Sequence, residues 1–130
     1  MISEEKIAII GCGNLGTSIA NGLLGLAGFN PSQLTLTKRN AQLLKGFADQ
    51  GVQVHSDNML AAKEADLVLI GVKPYNVVHI LREIKPVLNP EKQIIISLAT
   101  GVTLEEMLQE LHPATTVFRA MPNIAADIQE

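Results

Sequence analysis

The chain has 130 residues, of which 47% are hydrophobic and 3% aromatic, and its formal net charge is −3 at pH 7. This length suits one domain with a hydrophobic core, and the apolar content excludes a disordered chain. The acidic balance argues against a nucleic-acid or membrane-surface protein, and no apolar run approaches the ~20 residues of a membrane span. The start MISEEK lacks a signal-peptide pattern and Cys12 is the only cysteine, so we expect a cytoplasmic protein without an internal disulfide.

Short apolar runs alternate with helical patterns along the whole chain. This alternation predicts βαβ units and a parallel sheet. The predicted strands are 6–10, 34–37, 52–54, 66–72, 93–98 and 115–121. The predicted helices are about 14–27, 40–50, 57–64, 75–87 and 103–111. We therefore expect an α/β fold of the Rossmann type, with residues 1–130 forming one NAD(P)-binding domain around a doubly wound parallel sheet of about six strands in the order 3-2-1-4-5-6.

Local signals support these boundaries. Ser56 or Asp57 can cap the third helix, and Thr103 begins a capping-box pattern at the fifth. Gly28 and Gly51 lie just past the first two helices, where a left-handed residue is expected. The helices are therefore delimited by local chemistry as well as by periodicity.

The run KIAIIGCGNLG at 6–16 places three glycines with the spacing G-x-G-x-x-G between a predicted strand and a predicted helix. Gly11 would make the tight turn, Gly13 would let the backbone approach a pyrophosphate, and Gly16 would let the helix pack closely on the strand. The N–H groups and positive dipole end of that helix would face the phosphates. The alternative is a glycine-rich turn that binds nothing, with Cys12 as a small residue filling it rather than a redox thiol.

The end of the second strand distinguishes NAD from NADP. An NAD site usually places an acidic residue there to bind the ribose 2′-hydroxyl, but no acidic residue lies between Glu5 and Asp49. The strand ends instead in Thr37, Lys38 and Arg39. A guanidinium can clamp a 2′-phosphate and Thr37 can add a hydrogen bond, so we expect NADP(H) in preference to NAD(H). The alternative is that Lys38 and Arg39 are solvated charges.

Later strand ends should face the same ligand, because ligands bind beyond the carboxyl ends of the strands in such sheets. Pro74 should hold Lys73 extended near the phosphate–ribose region, although Lys73 could equally be an ordinary exposed lysine. The small residues after the fifth strand, from Ser97 to Val102, would let the backbone approach a nicotinamide.

Together these motifs resemble the N-terminal half of pyrroline-5-carboxylate reductase. The matching pieces are IGCGNLGTSIANGLL, TKRN, ADLVLIGVKP, IISLATGVT and FRAMPN, which cover nearly the whole chain in order. The resemblance implies a Rossmann domain that binds NAD(P)H and serves hydride transfer to the C=N carbon of 1-pyrroline-5-carboxylate, giving L-proline. It also implies a role in proline biosynthesis.

The resemblance implies a set of cofactor contacts at the carboxyl edge of the sheet. The pyrophosphate contacts are Gly11, Gly13, Asn14, Leu15 and Gly16, and the 2′-phosphate contacts are Lys38 and Arg39. Asn58 corresponds to the family asparagine near the adenosine ribose, and Val72, Lys73 and Pro74 line the cofactor. The residues expected at the nicotinamide end are Ala99, Thr100, Met121 and Asn123.

Two departures from the family pattern affect the functional prediction. The family usually continues RAMPN with Thr-Pro-Ala, whereas this chain continues with Ile124 and stops at Glu130. We expect the family's C-terminal helical domain, which makes the dimer and grips the substrate carboxylate, to be absent. The chain would then be weak or inactive alone. The alternatives are another small reductase, such as an F420-dependent NADP oxidoreductase, and a non-catalytic nucleotide-binding module.

No catalytic or metal site is predicted. Hydride transfer to an iminium depends on positioning more than on side-chain chemistry, and the three histidines are scattered without metal-ligand spacing. The partner expected is a small imine substrate rather than a nucleic acid or a membrane. The chain could be monomeric, or it could pair as a homodimer through the sixth strand at 115–121.

Overall fold

The computed structural model describes residues 5–120, which build a six-stranded sheet. All five strand pairings are parallel, and the strand order is β3-β2-β1-β4-β5-β6. The strands are β1 (Ile7–Ile10), β2 (Leu34–Thr37), β3 (Gln53–His55), β4 (Leu67–Ile70), β5 (Ile94–Ser97) and β6 (Thr116–Arg119). The predicted Rossmann-type fold class and strand order are confirmed.

Helices cover both faces of the sheet. The α-helices are α1 (Asn14–Leu24), α2 (Lys45–Ala48), α3 (Asn58–Glu64), α4 (Pro74–Ile84) and α5 (Leu104–Leu108). Short 3-10 segments span Pro31–Gln33, Ala41–Leu44 and Lys85–Val87. Helices α1 and α2 pack on one face, and α3, α4 and α5 pack on the other. No helix within residues 5–120 combines the length and the apolar character of a membrane span.

Strand β1 is buried on both faces of the sheet, and its four side chains are at most 3% exposed. Ala8 and Ile10 belong to the cluster beneath α3, α4 and α5, whereas Ile7 and Ile9 belong to the cluster beneath α1 and α2. Because both faces are covered, the strand reads as a continuous apolar run instead of an alternating one. The glycine turn therefore begins at the end of a fully buried central strand.

Two predicted helices end early. Helix α1 stops at Leu24 rather than near 27, because the Leu26 N–H donates to Leu23 O at 3.0 Å in a tighter turn. Helix α4 stops at Ile84 rather than near 87, since Pro86 has no N–H to continue the ladder. The predicted helix 40–50 is divided into a 3-10 turn and the short α2.

The predicted helix signals hold at three places. Asp57 accepts from two N–H groups at the start of α3, and Thr103 and Glu106 form the capping box of α5. Gly51 has φ +99° after α2 and completes the expected left-handed end. Gly28 also has a positive φ, +83°, but it lies several residues beyond the end of α1.

Candidate nucleotide site at the carboxyl edge

The crevice of this sheet lies where the strand order reverses. Strands β1 and β4 are neighbours, and the chain leaves them toward opposite sides of the sheet. Ligands of such folds bind outside the carboxyl ends of the strands at this point. Helices α1 and α4 begin soon after these two strands, so both helix N-termini flank the crevice.

The glycine turn after β1 is tightly packed at its two ends and open in the middle. Gly11 has φ +81°, and a Cβ there would fall on Val72 Cγ1. A Cβ on Gly16 would approach Ile9 Cγ2 at 3.1 Å, whereas a Cβ on Gly13 would meet nothing within 4 Å. The expected backbone roles of Gly11 and Gly16 are therefore confirmed. Gly13 leaves an open cradle that a side chain would fill.

Helix α1 begins without a side-chain cap. Its N-cap residue is Gly13, which has no side-chain acceptor, and its first turn carries no acidic residue. The first-turn N–H groups of Asn14, Leu15 and Gly16 therefore form an anion-attracting end at the crevice. The side chain of Leu15 packs into the core, so this residue can serve a ligand only through its backbone. Helix α4 likewise begins at Pro74 without a side-chain cap.

The end of β4 supports the glycine turn from one side. The Gly71 N–H donates to Ile10 O at 2.8 Å, and a Cβ on Gly71 would lie 3.0 Å from Gly11 O. Val72, which is half-buried, fills the space beside Gly11. Sequence reasoning gave no role to Gly71, although a glycine directly after the apolar run of β4 was the available signal.

Thr37 supports the turn from the other side, and this differs from its expected role. The side chain is only 1% exposed, and its Oγ1 accepts from the Gly11 N–H at 3.1 Å. The Thr37 carbonyl accepts from the Cys12 N–H at 2.7 Å. A hydroxyl that is buried and bonded to the backbone is not placed as an exposed 2′-phosphate ligand would be, so the structure does not support the expected direct contact.

Three basic residues follow the carboxyl ends of β2 and β4, the two strands that flank the glycine turn. Lys38 is half-buried and Arg39 is exposed at the end of β2. Lys73 is exposed with φ −60° and ψ 150°, the extended conformation predicted before Pro74. Because no acidic residue occurs between Glu5 and Asp49, no carboxylate from β2 or the turn opposes these cations.

The other predicted cofactor contacts differ in how accessible their side chains are. Asn58 begins α3, and its side-chain amide donates to Glu83 Oε1 on α4 at 3.0 Å. Ala99 is 7% exposed within the core cluster beneath α4 and α5, so only its backbone can approach a ligand, whereas Thr100 is exposed. Met121 and Asn123 lie outside the described residues.

Cys12 is fully buried within the turn, and its Sγ lies 3.6 Å from Thr17 Oγ1. Burial raises the pKa of the thiol above its usual value, which outweighs the lowering effects of Thr17 and Lys38. A protonated, buried thiol is a small packing residue rather than a nucleophile. Within residues 5–120, no cluster of three His, Cys, Asp or Glu side chains could hold a metal ion.

These features fit a phosphate-bearing dinucleotide. The open space at Gly13 admits a phosphate, the α1 N-terminus supplies N–H donors, and Lys38 and Arg39 directly follow Thr37, which hydrogen-bonds to the turn. A carboxylate at the end of β2 would have opposed a 2′-phosphate, and none is present there.

Known proteins match this chain over most of its length. A pyrroline-5-carboxylate reductase of Dictyostelium discoideum is 37% identical over 126 residues, which are 95% of this chain and 42% of that protein. The Escherichia coli pyrroline-5-carboxylate reductase is 33% identical over 124 residues, 95% of this chain and 46% of its own length. The chain thus spans less than half the length of these curated relatives.

Structural similarity agrees. The structure of a Coxiella burnetii pyrroline-5-carboxylate reductase superposes with a TM-score of 0.88 at 34% identity, covering 96% of this chain and 46% of that one. The predicted resemblance to pyrroline-5-carboxylate reductases is confirmed. A family model described as NADP oxidoreductase, coenzyme F420-dependent, matches residues 6–101. The chain belongs to this family of NADP oxidoreductases.

Proposed function

We propose that the carboxyl edge binds NADP(H) and that the chain is the nucleotide-binding part of an imine reductase resembling pyrroline-5-carboxylate reductase. The observation that carries the proposal is the open turn at Gly13, at an uncapped helix end beside Lys38 and Arg39. The family's description as NADP oxidoreductases supports the choice of cofactor. The similarity to pyrroline-5-carboxylate reductases supports the choice of reaction.

Each part of the site has a separate task in this proposal. The first-turn N–H groups of α1 bind the pyrophosphate, and the absence of a Cβ at Gly13 lets the backbone approach it. Arg39 and Lys38 bind the 2′-phosphate through charge-assisted hydrogen bonds. Lys73 lies near the phosphate–ribose region, and Asn58 can reach the ribose only by exchanging its hydrogen bond with Glu83.

The proposed reaction converts 1-pyrroline-5-carboxylate to L-proline. NADPH held at this edge would supply a hydride for the C=N carbon and become NADP⁺, and the nitrogen would take its proton from solvent. The backbone at Ala99 and the exposed Thr100 are proposed to position the nicotinamide end, together with Met121 and Asn123. Because an iminium is already a good hydride acceptor, orientation provides most of the catalysis and no side chain of this chain is assigned as a catalytic acid.

A second candidate is hydride exchange between NADP and coenzyme F420. It is favoured by one observation, the description of the family that matches residues 6–101. The same cradle and cations would hold NADP in this reaction. The two candidates therefore differ in the second substrate and not in the site described above.

The assembly and the location of the chain are proposed from β6 and from Cys12. β6 lies at the edge of the sheet, and its Phe118 is 55% exposed, so we propose that a homodimer pairs through this strand. Light scattering of the intact chain would contradict this if it gave the mass of a monomer at high concentration. The single, buried Cys12 is consistent with the proposed reducing, cytoplasmic compartment, which localisation of a tagged chain would test.

The test of the nucleotide proposal is a titration of the intact chain with NADPH and with NADH. We expect NADPH to bind more tightly, and we expect little or no reduction of 1-pyrroline-5-carboxylate by this chain alone. Arg39→Asp should weaken NADPH by about 10- to 100-fold, since hydrogen bonds to charged groups are worth about 1.5–3 kcal/mol. NADH lacks the 2′-phosphate and should change far less.

Lys92→Asp is the matched control, because it makes the same change of charge at an exposed position before β5, on the opposite edge of the sheet. It should leave both affinities near the wild-type values. Failure of the wild-type chain to bind either nucleotide would refute the proposal. An equal loss of both nucleotides in Arg39→Asp would refute the 2′-phosphate role alone.

A further inference from the structure

Thr37 joins the second strand to the glycine turn through two consecutive amides. Its Oγ1 accepts from the Gly11 N–H at 3.1 Å, and its carbonyl accepts from the Cys12 N–H at 2.7 Å. The side chain is 1% exposed, so it lies beneath the turn rather than on its outer surface. Two anchors on one residue fix both the position and the orientation of the peptide at which the chain leaves β1.

The peptide between Ile10 and Gly11 is held from both sides: its carbonyl accepts from the Gly71 N–H on the β4 side, and its N–H donates to the Thr37 hydroxyl on the β2 side. Gly11 then turns the chain away from the strand with φ +81°. An N–H group that loses its partner in a part-buried position is costly. The turn then closes on itself, with the Gly13 N–H donating to Gly11 O at 2.9 Å. The direction of Gly11 therefore sets the position of the Gly13 cradle and of the first turn of α1.

Thr37 is also held on its other side. The next residue, Lys38, donates its N–H to His55 O of β3 at 3.2 Å. The strand end that carries Lys38 and Arg39 is thus fixed to β3, while Thr37 fixes the turn to β2. The segment 37–39 therefore fixes the proposed 2′-phosphate position relative to the proposed pyrophosphate position.

We infer that Thr37 is a positioning residue for the nucleotide, acting through the backbone of the glycine turn rather than by touching the 2′-phosphate. This inference rests on the proposed nucleotide-binding function. It requires that loss of the hydroxyl weakens NADPH and NADH by the same factor, because both share the pyrophosphate. A direct 2′-phosphate ligand would instead affect NADPH alone.

The experiment compares Thr37→Val, which keeps the shape of the side chain and removes the hydroxyl, with Thr37→Ser, which keeps the hydroxyl. Dissociation constants for NADPH and NADH are measured on the intact chain. Thr37→Val should raise both by about tenfold, the equivalent of one typical hydrogen bond. Thr37→Ser should restore both to within about twofold of wild type. Thr35→Val is the matched control on the same strand and should change neither.

An unchanged affinity in Thr37→Val, or a loss confined to NADPH, would overturn the inference. If the wild-type chain binds neither nucleotide, the proposed function itself has failed, which is a distinct outcome. Amide hydrogen exchange gives a readout that needs no nucleotide and no stable variant. The Gly11 amide of the wild-type chain should exchange much more slowly than the amide of Gly28 in an exposed loop, and equal rates would overturn the anchoring role.

Discussion

The two ends of the parallel strands differ in how their polar groups are used: the amino edge, where the strands begin, and the carboxyl edge, where they end. At the amino edge, side chains satisfy the backbone: Gln93 donates to Ala62 O and Ala65 O at 2.6 Å, and its Oε1 accepts from the Asn89 N–H at 2.6 Å. Asp66 likewise accepts from the Lys6 N–H at 2.8 Å. At the carboxyl edge, helix α1 begins without a cap. Polar groups that hydrogen-bond within the protein stabilise the fold, whereas the uncapped N–H groups of α1 can bind a ligand.

The cavity described at the sheet does not lie at the carboxyl edge, where the nucleotide is proposed to bind. A cavity of about 220 Å³ lies at the amino edge, lined in part by Lys6, Gln33, Gln53 and Glu64. Its lining combines both signs of charge, and Gln33 is engaged with Glu5 O and the Asn30 N–H. The carboxyl edge instead offers open space at Gly13, the first-turn N–H groups of α1 and the basic residues Lys38, Arg39 and Lys73. The arrangement of charges and N–H donors therefore distinguishes the two edges better than cavity volume does.

The largest expected effect comes from the amino edge. Gln93 is 5% exposed, and Gln93→Leu removes the side chain that bonds Ala65 O and the Asn89 N–H, while Ala62 O still accepts from the Ala65 N–H. We expect a loss of about 3 kcal/mol or more in the free energy of unfolding, because each unpaired buried group costs about 1–3 kcal/mol. Urea denaturation measures this loss.

The comparison of the edges also requires that folded Gln93→Leu binds NADPH as tightly as wild type. Gln53→Leu, at an exposed position on the same edge, controls for replacing a glutamine and should leave stability nearly unchanged. A stable Gln93→Leu protein with weakened NADPH binding would reverse the assignment of roles to the two edges.

An intermediate effect is expected at the carboxyl edge. Gly13→Ala adds a Cβ that meets no protein atom within 4 Å, so we expect the unfolding free energy to fall by no more than about 1 kcal/mol, the cost of alanine at an N-cap. The same Cβ occupies the proposed phosphate cradle and should weaken NADPH by at least about tenfold, or about 1.4 kcal/mol. Calorimetric titration together with thermal denaturation separates these two effects.

Gly22→Ala provides the control within the same helix, since its added Cβ also meets nothing within 4 Å. It should leave NADPH affinity unchanged and stabilise the protein by about 0.5–1 kcal/mol through helix propensity. If Gly13→Ala binds NADPH normally, the cradle is not the phosphate site.

The smallest effect is expected from the ion pair between α4 and the turn after α5, where Arg82 Nε lies 2.7 Å from Glu110 Oε1. The hydrogen bond from Arg82 lowers the pKa of Glu110 below its usual value. A folded-state pKa below the unfolded value contributes stability at neutral pH, and this contribution is lost as the pH falls through the folded-state pKa. Because Arg82 is exposed, the contribution is small.

Arg82→Gln should therefore lower the melting temperature slightly at pH 7 and leave it equal to wild type once the pH falls well below the usual range of a glutamate. Lys63→Gln, which changes an exposed charge on α3, is the comparison. A difference that grows on acidification would contradict the role of Glu110.

Sequence reasoning was strongest where local chemistry decides the structure. The glycine turn and the caps at Asp57 and Thr103 follow from residue types and short spacings, and the strand order follows from the alternation of strands and helices. It was weakest where contacts join distant segments. Nothing in the sequence shows that the Thr37 hydroxyl turns toward Gly11, 26 residues earlier, or that Asn58 pairs with Glu83, 25 residues later.

The uncapped start of α1 has a thermodynamic consequence. A ligand that binds these N–H groups in the folded chain, where water otherwise satisfies them, makes folding and binding linked equilibria. On the proposed function, NADPH at 100 times its dissociation constant would add about 2.7 kcal/mol to the free energy of unfolding. The lifetime of this chain against thermal unfolding and proteolysis would then follow the supply of reduced nucleotide in its surroundings.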